Sequence, residues 1–131
     1  MSVKLLIVDD SAVVRGLVGK ALSAEARIEV IGSASNGQTA VEMAASLQPD
    51  IIILDIQMPV QDGLSALPGI LKAAPRCKVL VASTLTPQDA PMGYKALELG
   101  AADYIGKPSA HLSDGAAAFF DELLRKVRGL A

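Results

Sequence analysis

The sequence predicts a doubly wound α/β domain: five short apolar runs alternate with stretches of helical periodicity, and each run ends in polar or charged residues. Apolar runs without strict in-out alternation are the pattern of strands covered on both faces. Parallel neighbours of this kind need right-handed crossovers, with helices packed on both sides of the sheet.

The first run, Val3 to Val8, is apolar apart from Lys4 and ends in Asp9-Asp10. Ser11 is a helix cap, and Val14, Leu17, Val18, Ala21 and Leu22 repeat at helical spacing through Ala12 to Glu25, despite Gly16 and Gly19. Ile28 to Ser35 is the second strand, Asn36-Gly37 a turn, and Thr39 to Leu47 the second helix, on Ala40, Val41, Ala44 and Leu47. Pro49 closes that helix, and Asp50 to Leu54 is the third strand, delivering Asp55 to its end. Residues 55–63 contain Pro59 and the turn pair Asp62-Gly63, which predict a loop. Leu64, Leu67, Ile70, Leu71 and Ala74 have helical spacing; Pro68 lacks an amide donor, so this helix is expected to start late or kink near its beginning.

Lys78 to Ala82 is the fourth strand, and Thr86-Pro87 with Pro91 delays the fourth helix to Pro91–Leu99, which Gly100 ends. Asp103 to Ile105 is a minimal fifth strand before Lys107-Pro108. Ser113 caps a last helix, Asp114 to Leu130, with Ala116, Phe119, Phe120, Leu123, Val127 and Leu130 on one face. No internal repeat or low-complexity segment is present.

Composition narrows the function. At 131 residues and 51% hydrophobic the chain suits one aliphatic core. With two Tyr, two Phe, no Trp and a net charge of −2, it lacks the stacking platforms and basic excess of a nucleic-acid binder. There is no secretory segment and no membrane-length apolar run, so a cytoplasmic protein without membrane insertion is expected. Cys77 is the lone cysteine and is assigned no chemistry; His111 is read as an exposed loop residue.

In open α/β sheets, functional groups collect beyond the carboxyl ends of the strands. Here that rim carries Asp9 and Asp10 from strand one, Asp55 from strand three, Ser83 and Thr84 from strand four, and Lys107 after strand five. Convergent carboxylates imply a divalent cation, and acids, hydroxyls and an ammonium together suit a phosphoryl group.

Asp9-Asp10, Asp55, Ser83 and Lys107-Pro108 resemble the receiver domain of two-component response regulators, over residues 3 to about 108. The resemblance implies the flavodoxin-like, CheY-like fold with strand order 2-1-3-4-5. It implies that Asp55 is the phosphoacceptor and that Mg2+ is held by Asp10 and Asp55, by Asp9 through a water, and by the Gln57 main-chain carbonyl. Ser83, Thr84 and Lys107 would bind the phosphoryl group, and Ser83 with Tyr104 would form the switch. The phosphodonor would be a histidine kinase of the chemotaxis type.

Within this family the sequence is similar to the regulatory domain of the chemotaxis protein-glutamate methylesterase, the CheB type. The residues are Val8-Asp9-Asp10-Ser11-Ala12, Leu54-Asp55-Ile56-Gln57-Met58-Pro59, Asp62-Gly63-Leu64, Ser83-Thr84-Leu85-Thr86, Ala96 to Ala101, and Lys107-Pro108-Ser109. Gln57 stands where that group usually has Glu, and Pro68, Pro91 and Gly93 are unusual within helices of the family. The resemblance divides the chain into a receiver core, 1–108, and a last helix leading into an interdomain linker, 109–131. No catalytic triad lies in this chain, so it is expected to be a regulatory half that catalyses only its own phosphorylation and dephosphorylation. The methylesterase output domain would lie outside it.

Two other readings compete. A free-standing receiver would act by protein–protein contact alone. An aspartate-nucleophile phosphatase would need a general-acid Asp two residues after the nucleophile, where this chain has Gln57.

Overall fold

The computed structural model describes residues 2–58, 62–84, 90–108 and 116–131. Five strands, β1 Val3–Val8, β2 Ile28–Ala34, β3 Ile51–Asp55, β4 Lys78–Thr84 and β5 Asp103–Lys107, form one sheet in the order β2-β1-β3-β4-β5. All four pairings are parallel. The helices are α1 Ala12–Ser23, α2 Gly37–Leu47, α3 Gly63–Ala73, α4 Ala90–Glu98 and α5 Ala116–Leu130.

Alternate residues of the central strands feed two cores, as a pleated strand covered on both sides must. Leu6, Val8, Ile52, Leu54, Val79 and Val81 point to one face, where α2, α3 and α4 contribute Ala40, Ala44, Ala66, Leu67, Ile70 and Ala96. Leu5, Ile7, Ile51, Ile53, Leu80, Ala82 and Ile105 point to the other, against Val14, Val18 and Leu22 of α1 and Phe119, Leu123 and Val127 of α5. β3 is buried along its whole length. The small alanines of α2 and α3 let those helices lie close to the large aliphatic residues of the sheet.

Element ends differ from the sequence expectation where side-chain caps and rim pairing decide them. β3 includes Asp55, β4 runs to Thr84 and β5 to Lys107, because Asp55 pairs with Ala82, Ser83 with Gly106 and Thr84 with Lys107. α2 starts at Gly37, since the Asn36 side chain caps it by accepting from Thr39 N–H at 2.9 Å.

The expected late start of α3 is corrected: the helix begins at Gly63, five residues before Pro68. Asp62 is its cap, accepting from Ser65 N–H at 2.7 Å. Pro68 sits on the exposed side while Ala66, Leu67 and Ile70 are buried, so packing of the inner face outweighs one missing backbone bond. Pro91 lies in the first turn of α4, where its absent N–H has no partner to lose, and Gly100, at φ +111°, ends the helix region. Pro59, Leu85, Thr86, Ser109, His111 and Ser113 lie outside the described residues.

Gly63 is fixed by close approach. A Cβ there would stand 2.5 Å from the Asp55 carbonyl oxygen and 2.9 Å from Ile56 Cα, both backbone atoms. Gly16, by contrast, is exposed on α1 with open space where its Cβ would be. Gly63→Ala is therefore expected to cost about 1–3 kcal/mol in urea denaturation, whereas Gly16→Ala should add roughly 0.5–1 kcal/mol.

Candidate functional site

The strand ends bring the acids to one rim. β1 and β3 run in register with Val8 beside Leu54, so Asp9 and Asp55 emerge side by side. Bonds to the neighbouring strands hold them. Asp9 N–H donates to the Ala34 carbonyl at 3.1 Å, and Ile56 N–H donates to the Ala82 carbonyl at 2.9 Å, extending the ladder past each acid. Gly63 N–H closes the loop by donating to the Ile56 carbonyl at 3.0 Å.

Lys107 reaches into this rim from the end of β5. Its Nζ lies 3.0 Å from Asp55 Oδ1 and 3.4 Å from Asp9 Oδ2. All three residues are nearly inaccessible: Asp9 is 5% exposed, Asp55 2% and Lys107 2%. The first loop adds support, with Ser11 N–H donating to Asp9 Oδ1 at 2.9 Å and Arg15 Nη1 donating to the Asp9 carbonyl at 2.7 Å. Asp10 is exposed at the mouth of the site.

Burial dominates the electrostatics. It raises the Asp55 carboxyl from 3.8 to about 7, against the pull of Lys107 and with a further push from Asp9. Asp9 is also raised by burial, again opposed by Lys107. One ammonium cannot neutralise two buried carboxylates, so the site has a deficit of positive charge. One oxygen each of Asp9, Asp10 and Asp55 lie within 4.8 Å of one another. An all-oxygen, carboxylate-rich donor set with uncompensated negative charge fits a hard divalent cation such as Mg2+.

Gln57, half-buried, follows Asp55 by two residues, and its N–H donates to Asp55 Oδ1 at 3.3 Å. Its side chain crosses to β4, where Nε2 donates to Ser83 Oγ at 2.8 Å and Oε1 accepts from Thr84 N–H at 3.4 Å. Ser83 is 6% exposed.

Tyr104 stands apart from the acids, on the surface formed by α4, β5 and α5. Its ring meets Tyr94 at 5.9 Å between centroids, and Lys126 Nζ lies 5.6 Å from its centre. Lys126 also donates to the Tyr104 carbonyl at 2.8 Å and pairs with Asp103 at 3.2 Å. A Cβ on Gly93 would lie 3.0 Å from the Tyr104 ring, so glycine is what allows the ring to rest on the α4 backbone.

The structure thus gathers Asp9, Asp10, Asp55 and Lys107 at the acid site, joins Gln57 to Ser83 and Thr84 beside it, and leaves Tyr104 on the adjoining face. Arg15, Gly63, Gly93 and Lys126 take parts that the sequence reading did not assign. Cys77 is buried just before β4, and burial with the nearby Asp50 pushes its thiol up to about 12, which leaves it inert.

The response regulator receiver domain family matches residues 5–114. The chain belongs to this family. This receiver is 48% identical over 97% of its length to a protein-glutamate methylesterase/protein-glutamine glutaminase of Rhodospirillum centenum, of which it spans 32%. The response regulator domain of Thermotoga maritima CheB superposes with a TM-score of 0.90 at 37% identity, covering 99% of this receiver and 96% of that chain. CheY of Borrelia burgdorferi, solved as a CheX-CheY-BeF3-Mg2+ complex, gives a TM-score of 0.81 at 27% identity, covering 98% and 88% of the two chains. The receiver is therefore a regulatory module of the kind carried by CheB-type methylesterases. No helix among the described residues is long and apolar enough to cross a membrane.

The raised Asp55 carboxyl has a consequence for stability. Between pH 3.8 and about 7 the folded protein holds a proton that the unfolded chain has released, so stability falls as pH rises through that window. Without added cation, Asp55→Asn should stabilise the receiver by roughly 2–4 kcal/mol at pH 8, and the difference should vanish near pH 4. Thermal melts across pH check this. An equal effect at both ends would show that Asp55 titrates as an exposed carboxyl does.

Proposed function

We propose that this receiver is a phosphorylation switch in which Asp55 takes a phosphoryl group from a phosphohistidine of a chemotaxis-type kinase. In this reaction a carboxylate oxygen of Asp55 bonds to phosphorus as the P–N bond breaks, and the imidazole leaves with a proton. The observation that carries the reading is the buried carboxylate held 3.0 Å from Lys107 Nζ, with two further acids beside it.

Each residue has a part that its position supports. Asp10, Asp55 and the Gln57 main-chain carbonyl would hold Mg2+, with Asp9 contributing through a water. When bound, the cation supplies positive charge that orients and neutralises the phosphoryl oxygens. Lys107 supplies a second, fixed positive charge from a site that excludes water, where it acts more strongly than in solution. Ser83 and the Thr84 N–H, at the end of β4, would turn to the new phosphoryl oxygens, which bring nearly two negative charges to the rim. Movement of Ser83 would open the way for Tyr104 to turn inward and reshape the face made by α4, β5 and α5.

The output is inferred from the relatives. The chain spans about a third of the methylesterase it resembles, and we assign it the regulatory role within such a protein, with hydrolysis left to a separate output domain. A cytoplasmic setting follows from that partnership.

Incubation with acetyl phosphate and Mg2+ should add one phosphoryl group by intact mass, and Asp55→Asn should abolish the addition. Asp10→Asn, at an exposed position, should leave the melting temperature intact but raise the Mg2+ concentration needed by about tenfold or more. An unmodified wild-type protein under these conditions would remove the switch reading.

A further inference from the structure

Gln57 is bonded at once to the phosphoacceptor and to the strand end that must respond to it. Its main-chain N–H reaches Asp55 Oδ1 at 3.3 Å, and its side-chain amide meets two consecutive residues of β4. The orientation of that amide is set by its partners: the Thr84 N–H, at 3.4 Å, can only face the amide oxygen, which aims Nε2 at Ser83 Oγ, 2.8 Å away. Ser83 Oγ therefore accepts from Gln57, and its own proton points toward the Thr84 carbonyl at 3.4 Å. To donate to a phosphoryl oxygen on Asp55, Ser83 must turn that proton away, and to move it must stretch the bond from Gln57.

We propose that the Gln57 side chain is a clasp that holds Ser83 and Thr84 in the resting arrangement and so sets how readily the switch is thrown. It rests on the assignment of Asp55 as acceptor and Ser83 as responder. Gln57 is a positioning residue: it acts on the reaction through Ser83. A glutamate in its place could only accept the Ser83 proton, so the amide holds Ser83 by a bond of the opposite direction to the one a carboxylate would make. Removal of one such bond from the resting state alone shifts the resting-to-active ratio by its net worth.

The test uses Gln57→Met, which keeps length and volume while removing donor and acceptor, in binding titrations with beryllofluoride and Mg2+. The clasp predicts apparent affinity about 3- to 10-fold tighter than wild type. It also predicts that, before any ligand is added, the Thr84 and Tyr104 amide resonances shift part of the way toward their positions in liganded wild type. In a Ser83→Ala background, where only the bond from Thr84 N–H is left to release, the Gln57→Met gain should be clearly smaller. Unchanged or weaker binding by Gln57→Met, or a gain of undiminished size in Ser83→Ala, would overturn the clasp while wild-type binding sustains the acceptor assignment. Loss of Mg2+-dependent binding in wild type itself would overturn both.

Discussion

Lys107 Nζ, shared between Asp55 at 3.0 Å and Asp9 at 3.4 Å in a site that water barely enters, is the interaction around which the molecule is arranged. Removing two carboxylates and an ammonium from water is costly, and one cation against two anions leaves the cost only partly offset. An apolar replacement of the same shape would serve stability as well or better. The imbalance makes sense as readiness for a divalent cation, which supplies the positive charge the site lacks and meets the oxygen donors gathered there. The raised Asp55 carboxyl is the same imbalance seen as a proton affinity.

The sheet supplies that geometry cheaply. Parallel strands buried on both faces are stiff, and their register places Asp9 beside Asp55 and Thr84 beside Lys107 without help from long loops. Where the fold must give way to the site, glycine appears. Gly63 lets the start of α3 press on the Asp55 carbonyl, and Gly93 lets Tyr104 lie on α4. Hydrogen bonds link Asp55 to Gln57 and Gln57 to Ser83 and Thr84, at the end of β4, whose Val81 pairs with Tyr104 on β5. Beyond Tyr104, Lys126 ties the ring and its backbone to α5.

The strands and the acid rim were legible because each rests on a local pattern. An apolar run long enough for one strand, ending in Asp or Lys, carries its own position and direction, and the alternation with helices fixes parallel pairing. Helix starts were less legible, since Asn36 and Asp62 read equally well as turn residues and as caps, and only the bonds to Thr39 and Ser65 decide between them. Pro68 misled for a related reason: its local cost is visible in sequence, whereas the buried face of α3 that outweighs it is not. Gly93 is unusual in a helix by sequence, and the Tyr104 ring that lies against it supplies the reason. Arg15, the Gln57 side chain and Lys126 had no signal, because each acts on an element distant in sequence or through a backbone carbonyl.

The charge imbalance at the rim governs the site, and carbon-detected NMR titration of the Asp55 carboxyl measures it most directly. The expected midpoint is near neutral pH in protein stripped of divalent cations, displaced far downward once Mg2+ is added. A midpoint in the ordinary range near 4 that ignores Mg2+ would contradict it.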